Sequence, residues 1–168
     1  ILSGLVGSEM CIRDRPRSWA VVREFTHEDI RDFGEVREAI ETLIFVFAAE
    51  RHTDEGIARL RAAYEREFAA ASADEVEAAR IAAGEFHEIA AELAGNEMLG
   101  ELIAVFVTRL RWLFGQHDDL LGMAEEHRLI LDAVAARDTD TLRWMIPRHL
   151  ASGQEAAERR LSDQAYSI

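Results

Sequence analysis

Apolar residues recur every three or four positions along most of the chain, the period that places them on one face of an α-helix. Thr26 and Asp29 have the spacing of a capping box, which predicts a long helix from this point to about Glu50. The predicted apolar side of this helix consists of Phe33, Val36, Ile40, Leu43, Ile44 and Phe47. We expect this side to face the core.

Two further helices are predicted before Gly95. Thr53 has the character of an N-cap for the second helix. Ser72 and Glu75 form a complete capping-box pattern, which predicts that a third helix begins there and ends at Gly95. The predicted apolar face of the second helix carries Ile57, Leu60, Tyr64 and Phe68.

Three more helices complete the pattern. The fourth begins after Asn96, the fifth spans roughly residues 119–136, and Asp138 caps a sixth that runs to about Ser162. Pro147 lies inside the sixth helix and is expected to kink it, since it removes one backbone donor. We find no strand pattern and no internal repeat, so the sequence predicts an all-α antiparallel bundle.

Residues 1–15 have neither a helical nor a strand period. The amino acids from Val6 to Asp14 are those obtained by translating the end of a transposase adapter that is used to prepare sequencing libraries. We therefore expect residues 1–15 to be an artefact outside the fold and residues 16–168 to form one domain. A naturally disordered N-terminus is the alternative. Cys11, the only cysteine, lies in this stretch and is given no redox or metal-binding role.

The formal net charge of −13 makes this chain by itself a poor ligand for nucleic acid or an anionic membrane. The longest apolar run, Leu43 to Ala49, is seven residues long and far too short to cross a bilayer. Outside Cys11 there is no cysteine to build a disulfide framework, which fits a cytoplasmic protein.

Three histidines lie on apolar helical faces: His87, His127 and His149. Facing helices of a bundle can bring imidazoles together at one point, so these residues are candidates for a shared metal site. A di-iron carboxylate site would require an acidic residue three positions before a histidine. The residues at those positions are Gly84, Ala124 and Ile146.

Three blocks of sequence resemble a known family when they are taken in order. They are FTHEDIRDFGEVREAIETLIFVFAAERHTDEGIARL, FHEIAAELAGNEML and EEHRLILDAVAARDTDTLRWMIPRHL. Together they resemble the ligand-sensing FCD domain of GntR-type transcriptional regulators, over roughly Phe25 to Arg160. The resemblance implies an antiparallel bundle of six to seven helices around an internal ligand pocket.

The resemblance also implies a divalent metal, zinc or nickel, held by one Asp and three His below a small organic acid. His87, His127 and His149 match the three histidine positions, but Ala83 stands where the family has its Asp. Glu85 is two residues from His87 and points elsewhere, so it is a poor substitute.

The missing acid changes the expected charge of the site. Three neutral imidazoles leave a divalent ion with its full +2 charge and with a further open coordination position. We expect lower metal affinity and stronger attraction for an anionic effector. The alternative is a pocket that has lost its metal and binds a ligand without it.

Five residues are candidates for binding the effector. Arg37 matches a position at which the family places an effector-contacting Arg, and its alternative role is an ordinary ion pair with Glu41. Asn96 reads as a helix cap, and the resemblance allows it a role in supporting the metal ligands. The candidates for the pocket mouth are Arg109, Arg111 and Trp112.

The leading hypothesis is therefore a regulatory, non-catalytic effector-binding domain. It would act as a homodimer, with no membrane partner, and would contact DNA only through an N-terminal winged helix-turn-helix that is missing here. The alternative is a small three-histidine metalloenzyme. Against it, no acidic residue near the histidines is recognisable as a general base.

Overall fold

A computed structural model describes residues 12–13, 21–22, 26–104 and 119–165. Two-residue strands, β1 and β2, pair antiparallel, with Ile12 opposite Val22 and Arg13 opposite Val21. The sequence pattern does not predict this short ladder. The helices are α1 (His27–Arg51), α2 (Asp54–Ser72), α3 (Val76–Leu93), α4 (helical over the described residues 97–104), α5 (Leu120–Ala135) and α6 (Thr139–Ala165).

The bundle is all-α and antiparallel, as the sequence predicts. Ile30 near the start of α1 packs with Ala157 in the second half of α6, while the end of α1 contacts Arg137, which lies between α5 and α6. Helix α1 also contacts α3 and α5, and α2 packs against α3 and α5. Within the described part of the chain, no helix combines the length and apolar character needed to cross a membrane.

The main core is formed by residues of all six helices, with Phe45, Leu60, Phe86 and Ile130 among those fully buried. The apolar faces expected for α1 and α2 are wrong in part. Val36, Leu43 and Phe68 are exposed. Because α3, α5 and α6 all pack against α1, its buried surface is wider than one stripe and includes Phe45 and Val46.

Most predicted helix starts are confirmed. The capping box at Thr26 is complete, and Thr53 accepts a hydrogen bond from the backbone N–H of Gly56 at 3.1 Å. Asp119 and Asp138 cap α5 and α6 in the same way. Helix α6 is continuous over Thr139–Ala165, with Pro147 inside it.

The capping box predicted at Ser72 is wrong. Helix α2 continues through Ser72, and α3 begins only after Glu75, which provides no side-chain cap. The backbone of Asp74 is left-handed, with φ 58°, and the N–H of Glu75 donates to the carbonyl of Ala70 at 2.9 Å. These are the features of a Schellman motif, so these residues end α2 instead of starting α3.

Arg137 ends α5 and also holds the end of α1. Its backbone is left-handed, with φ 57°. Its guanidinium donates to the carbonyls of Ala49 and Glu50, both at 2.7 Å, and of His52 at 3.0 Å. A positive charge at a helix C-terminus satisfies carbonyls that have no partner within the helix and interacts favourably with the helix dipole.

We expect Arg137→Ala to lower the free energy of unfolding by about 1–3 kcal/mol, because it removes the charged donors to α1. Arg137→Gly removes the same donors but adopts positive φ without a Cβ clash, so it should be about 1 kcal/mol more stable than Arg137→Ala. Urea unfolding of the two variants measures both quantities. An alanine variant as stable as the glycine variant would contradict a left-handed residue at this corner.

Candidate metal centre

The three candidate histidines come from three helices and meet at one point. His87 lies on α3, His127 on α5 and His149 on α6. The Nε2 atoms of His87 and His127 are 3.2 Å apart, as are those of His127 and His149, and the third pair is 3.4 Å apart. The convergence that the sequence predicts is present.

The site is at the edge of the core and is closed on one side. The ring of Phe86 stacks on His127 with centroids 4.5 Å apart. The side chains of His127 and His149 are 1% and 7% exposed, and that of His87 is 19% exposed. Solvent therefore reaches this group of residues mainly beside His87.

Each histidine forms a hydrogen bond, through its Nδ1 atom, with a glutamate on another helix. The Nδ1–carboxylate pairs are His87 with Glu41 at 2.6 Å, His127 with Glu67 at 2.6 Å, and His149 with Glu126 at 2.7 Å. The sequence analysis recognised no acidic residue near the histidines as a general base, and it did not predict these three carboxylate contacts. These carboxylates contact the Nδ1 atoms and not the point at which the Nε2 atoms meet, so none of them is placed as a general base there.

Two of these glutamates stand at sequence positions that could have identified them. Glu41 lies three residues before buried Ile44, and Glu67 lies one turn after buried Ala63. Both are acidic residues in a helical register occupied by core residues. Such a residue needs a buried hydrogen-bond partner, and a histidine on a facing helix supplies one.

The hydrogen bonds assign a tautomer to each ring. A carboxylate accepts a hydrogen bond from Nδ1–H, which leaves a lone pair on Nε2 of a neutral imidazole. Burial lowers the pKa of His149 to about 3, helped by the neighbouring histidines and opposed by its bond to Glu126. This ring is therefore neutral near pH 7, and its lone pair faces the other two nitrogens.

Arg37 is joined to the same network. Its Nε donates to Glu41 at 2.5 Å, and the side chains are 10% and 3% exposed. Burial by itself would raise the pKa of Glu41, but the positive charge of Arg37 and the hydrogen bonds from His87 and Arg37 outweigh it and hold this pKa well below its usual range. The ion pair with Glu41 expected as an alternative for Arg37 is present, but it is buried and continues to His87.

The other predicted site residues have different positions. Asn96 accepts from the backbone N–H of Leu99 at 3.3 Å and so acts as a helix cap. Glu85 pairs with Arg66 at 2.7 Å on the surface, away from the histidines, as expected. Three candidates lie outside the described residues: Arg109, Arg111 and Trp112.

Ala83 is buried beside the centre. It lies one helical turn before His87, and its neighbour Met123 lies one turn before His127. The side chains at these positions form an apolar layer next to the histidines. The other members of the layer are Ala70, Ala71, Ala79 and Leu120.

The residues present fit a divalent transition metal. Two nitrogens on one tetrahedral ion, each bonded at about 2.0–2.1 Å, lie about 3.3–3.4 Å apart. The Nε2 separations of 3.2–3.4 Å agree with this. Imidazole donors suit zinc, nickel or copper better than magnesium or calcium.

The charged side chains around the three histidines change the net charge that is expected from the metal ligands alone. When ionised, Glu41, Glu67 and Glu126 bring three negative charges within one imidazole ring of the centre, and Arg37 returns one positive charge. Among the described residues, a count that stops at three neutral histidines therefore omits charges that would act on an effector.

The chain belongs to the FCD domain family, whose profile matches residues 32–152. The HTH-type transcriptional regulator LutR of Bacillus subtilis (strain 168) is 31% identical over 118 residues, which cover 65% of this chain and 53% of LutR. The HTH-type transcriptional repressor NanR of Salmonella schwarzengrund (strain CVM19633) is 31% identical over 134 residues, covering 73% of this chain and 48% of NanR. The chain thus spans about half the length of these relatives.

Solved structures share the fold. E. coli McbR/YncC superimposes with a TM-score of 0.79 at 18% identity, covering 93% of this chain and 80% of that one. Streptococcus agalactiae GntR gives a TM-score of 0.67 at 18% identity, covering 91% and 78%. The names of the relatives are those of transcriptional regulators, which supports the sequence-based prediction of a regulatory and not a catalytic domain.

The burial of Glu67 predicts unequal effects of two histidine substitutions. His127→Ala leaves the fully buried Glu67 carboxylate without its imidazole partner, and we expect a loss of about 3–5 kcal/mol in unfolding free energy. His149→Ala leaves Glu126, which is 43% exposed and remains solvated, so its loss should be smaller.

Chemical denaturation in the presence of a chelator makes this comparison without any contribution from metal. The double variant His127→Leu with Glu67→Leu serves as the control, because removing both polar partners should recover part of the lost stability. Equal losses of unfolding free energy in His127→Ala and His149→Ala would contradict a buried charge on Glu67.

Proposed function

We propose that this chain is the effector-sensing domain of a GntR-type transcriptional regulator, and that His87, His127 and His149 bind a divalent metal, zinc or nickel. The single observation that carries the metal site is the meeting of three Nε2 atoms within 3.2–3.4 Å, each ring held at Nδ1 by a carboxylate. Imidazoles that bind metals in proteins almost always donate their other N–H in this way.

The effector we propose is a small organic acid, for example a hydroxy or sugar acid. When bound, the metal would supply a Lewis-acidic partner for a carboxylate. Arg37 lies beside the centre, and its guanidinium can offer further donors to an anion while Nε holds Glu41. Arg109, Arg111 and Trp112 are proposed to line the mouth of the pocket.

The regulatory output we propose depends on parts outside this chain. DNA would be contacted by an N-terminal winged helix-turn-helix, and effector binding would change the geometry of a cytoplasmic homodimer. The names of LutR and NanR as HTH-type regulators support this proposal.

The test is a thermal-shift screen of organic acids against the metal-free, zinc-loaded and nickel-loaded protein. We expect a small carboxylate to raise Tm only when metal is bound. Arg37→Lys keeps a positive charge beside Glu41 but loses the planar fork, and we expect it to weaken acid binding about tenfold while preserving zinc affinity.

Arg37→Ala is a poorer probe, because it removes the buried partner of Glu41 and so disturbs His87 as well. An acid that stabilises the protein equally with and without chelator would contradict a metal-supported pocket. It would favour the metal-free alternative.

Ala83→Asp tests the missing ligand. Its carboxylate would enter the apolar layer one turn from His87, so we expect lower stability in chelator and tighter zinc binding than in the unmodified protein. Zinc titration with a competing chelator measures the affinity, and melting in chelator measures the stability. If zinc affinity does not change, residue 83 does not reach the centre.

A further inference from the structure

The three Nδ1–carboxylate contacts are almost identical in length. They measure 2.6, 2.6 and 2.7 Å, and each joins a histidine to a glutamate on a different helix. We call Glu41, Glu67 and Glu126 the glutamate ring. Geometry alone would give its members equal roles.

Burial separates the members of the ring. The side chain of Glu67 is 0% exposed and that of Glu41 is 3% exposed, whereas that of Glu126 is 43% exposed. A buried charge interacts strongly with its surroundings, while water and salt screen an exposed one. Arg37 and His127 are among the partners of the two buried members, Glu41 and Glu67 respectively.

We infer that the glutamate ring positions the metal ligands, and that the buried Glu67 and Glu41 contribute more to holding the ion than the exposed Glu126. This inference rests on the proposed metal site. It adds that α2, which supplies none of the three histidines, contributes to metal retention through one buried carboxylate.

Two effects of the ring can be separated by substitution. A glutamine in place of a glutamate keeps a carbonyl oxygen that accepts the Nδ1–H, so the ring orientation and tautomer are kept while the charge is lost. If charge is what matters, the loss of affinity should follow burial. If only orientation matters, all three glutamine variants should bind metal as the unmodified protein does.

The experiment compares Glu67→Gln, Glu41→Gln and Glu126→Gln, with Glu85→Gln as the matched control. Glu85 lies on the same helix as His87 but pairs with Arg66 at the surface. Zinc affinity is measured by chelator competition, and Co²⁺ absorption reports the ligand geometry directly. Melting in chelator identifies any variant that is merely less folded.

For Glu67→Gln we expect zinc affinity to fall about 10- to 100-fold with a changed Co²⁺ spectrum. Glu41→Gln should show a loss of similar size, because Glu41 is equally buried, and it tests the same idea if Glu67→Gln does not fold. Glu126→Gln and Glu85→Gln should stay within about threefold of the unmodified protein, because their charges are screened by solvent.

Two results would overturn this inference. Equal zinc affinity in Glu67→Gln, Glu41→Gln and Glu126→Gln would show that burial does not rank the ring. A greater loss for Glu126→Gln than for Glu67→Gln would reverse the order. A different result, no zinc or cobalt binding by the unmodified protein, would contradict the proposed metal site itself and remove the inference with it.

Discussion

The hydrogen bonds between three histidines and three glutamates are the constraint on which this bundle depends. They join α1 and α2, which supply Glu41 and Glu67, to the helices α3, α5 and α6 that supply the imidazoles. One group of six side chains therefore contacts five of the helices. A change in the position of any imidazole must be accommodated by its glutamate and by the helix that carries this glutamate. In the proposed function, a bound ligand would affect the other helices in this way.

The same arrangement explains why charged side chains stand in the core. Glu67 and Glu41 are buried among apolar residues, at a cost that only hydrogen bonds and opposite charge can offset. Arg37 pairs with Glu41, and a cation at the histidines would bring further positive charge to the group. Such a polar centre stabilises the fold less than a well-packed apolar core would, which is consistent with its proposed role in binding a ligand.

Local chemistry explains which helix ends agree with the sequence and which do not. The capping residues Thr26, Thr53 and Asp138 act on N–H groups three residues away, so their sequence spacing is sufficient. The pattern at Ser72 fits a helix start as well as those three do. In the structure, however, a Schellman motif forms there, and Asp74 adopts positive φ. Sequence spacing by itself cannot rank these two local solutions.

The sequence by itself determined the all-α class, most helix starts and the three histidines, because helical periodicity and ordered family motifs are encoded locally. Only the tertiary structure decided what holds those histidines. Their glutamate partners lie 46, 60 and 23 residues away along the chain, and no spacing rule connects such positions. The exposure of Val36 and Leu43 also depends on the tertiary structure, because the packing of α3, α5 and α6 determines which side of α1 is buried. Contacts between helices depend on how their faces pack together, and that information is distributed over the whole chain.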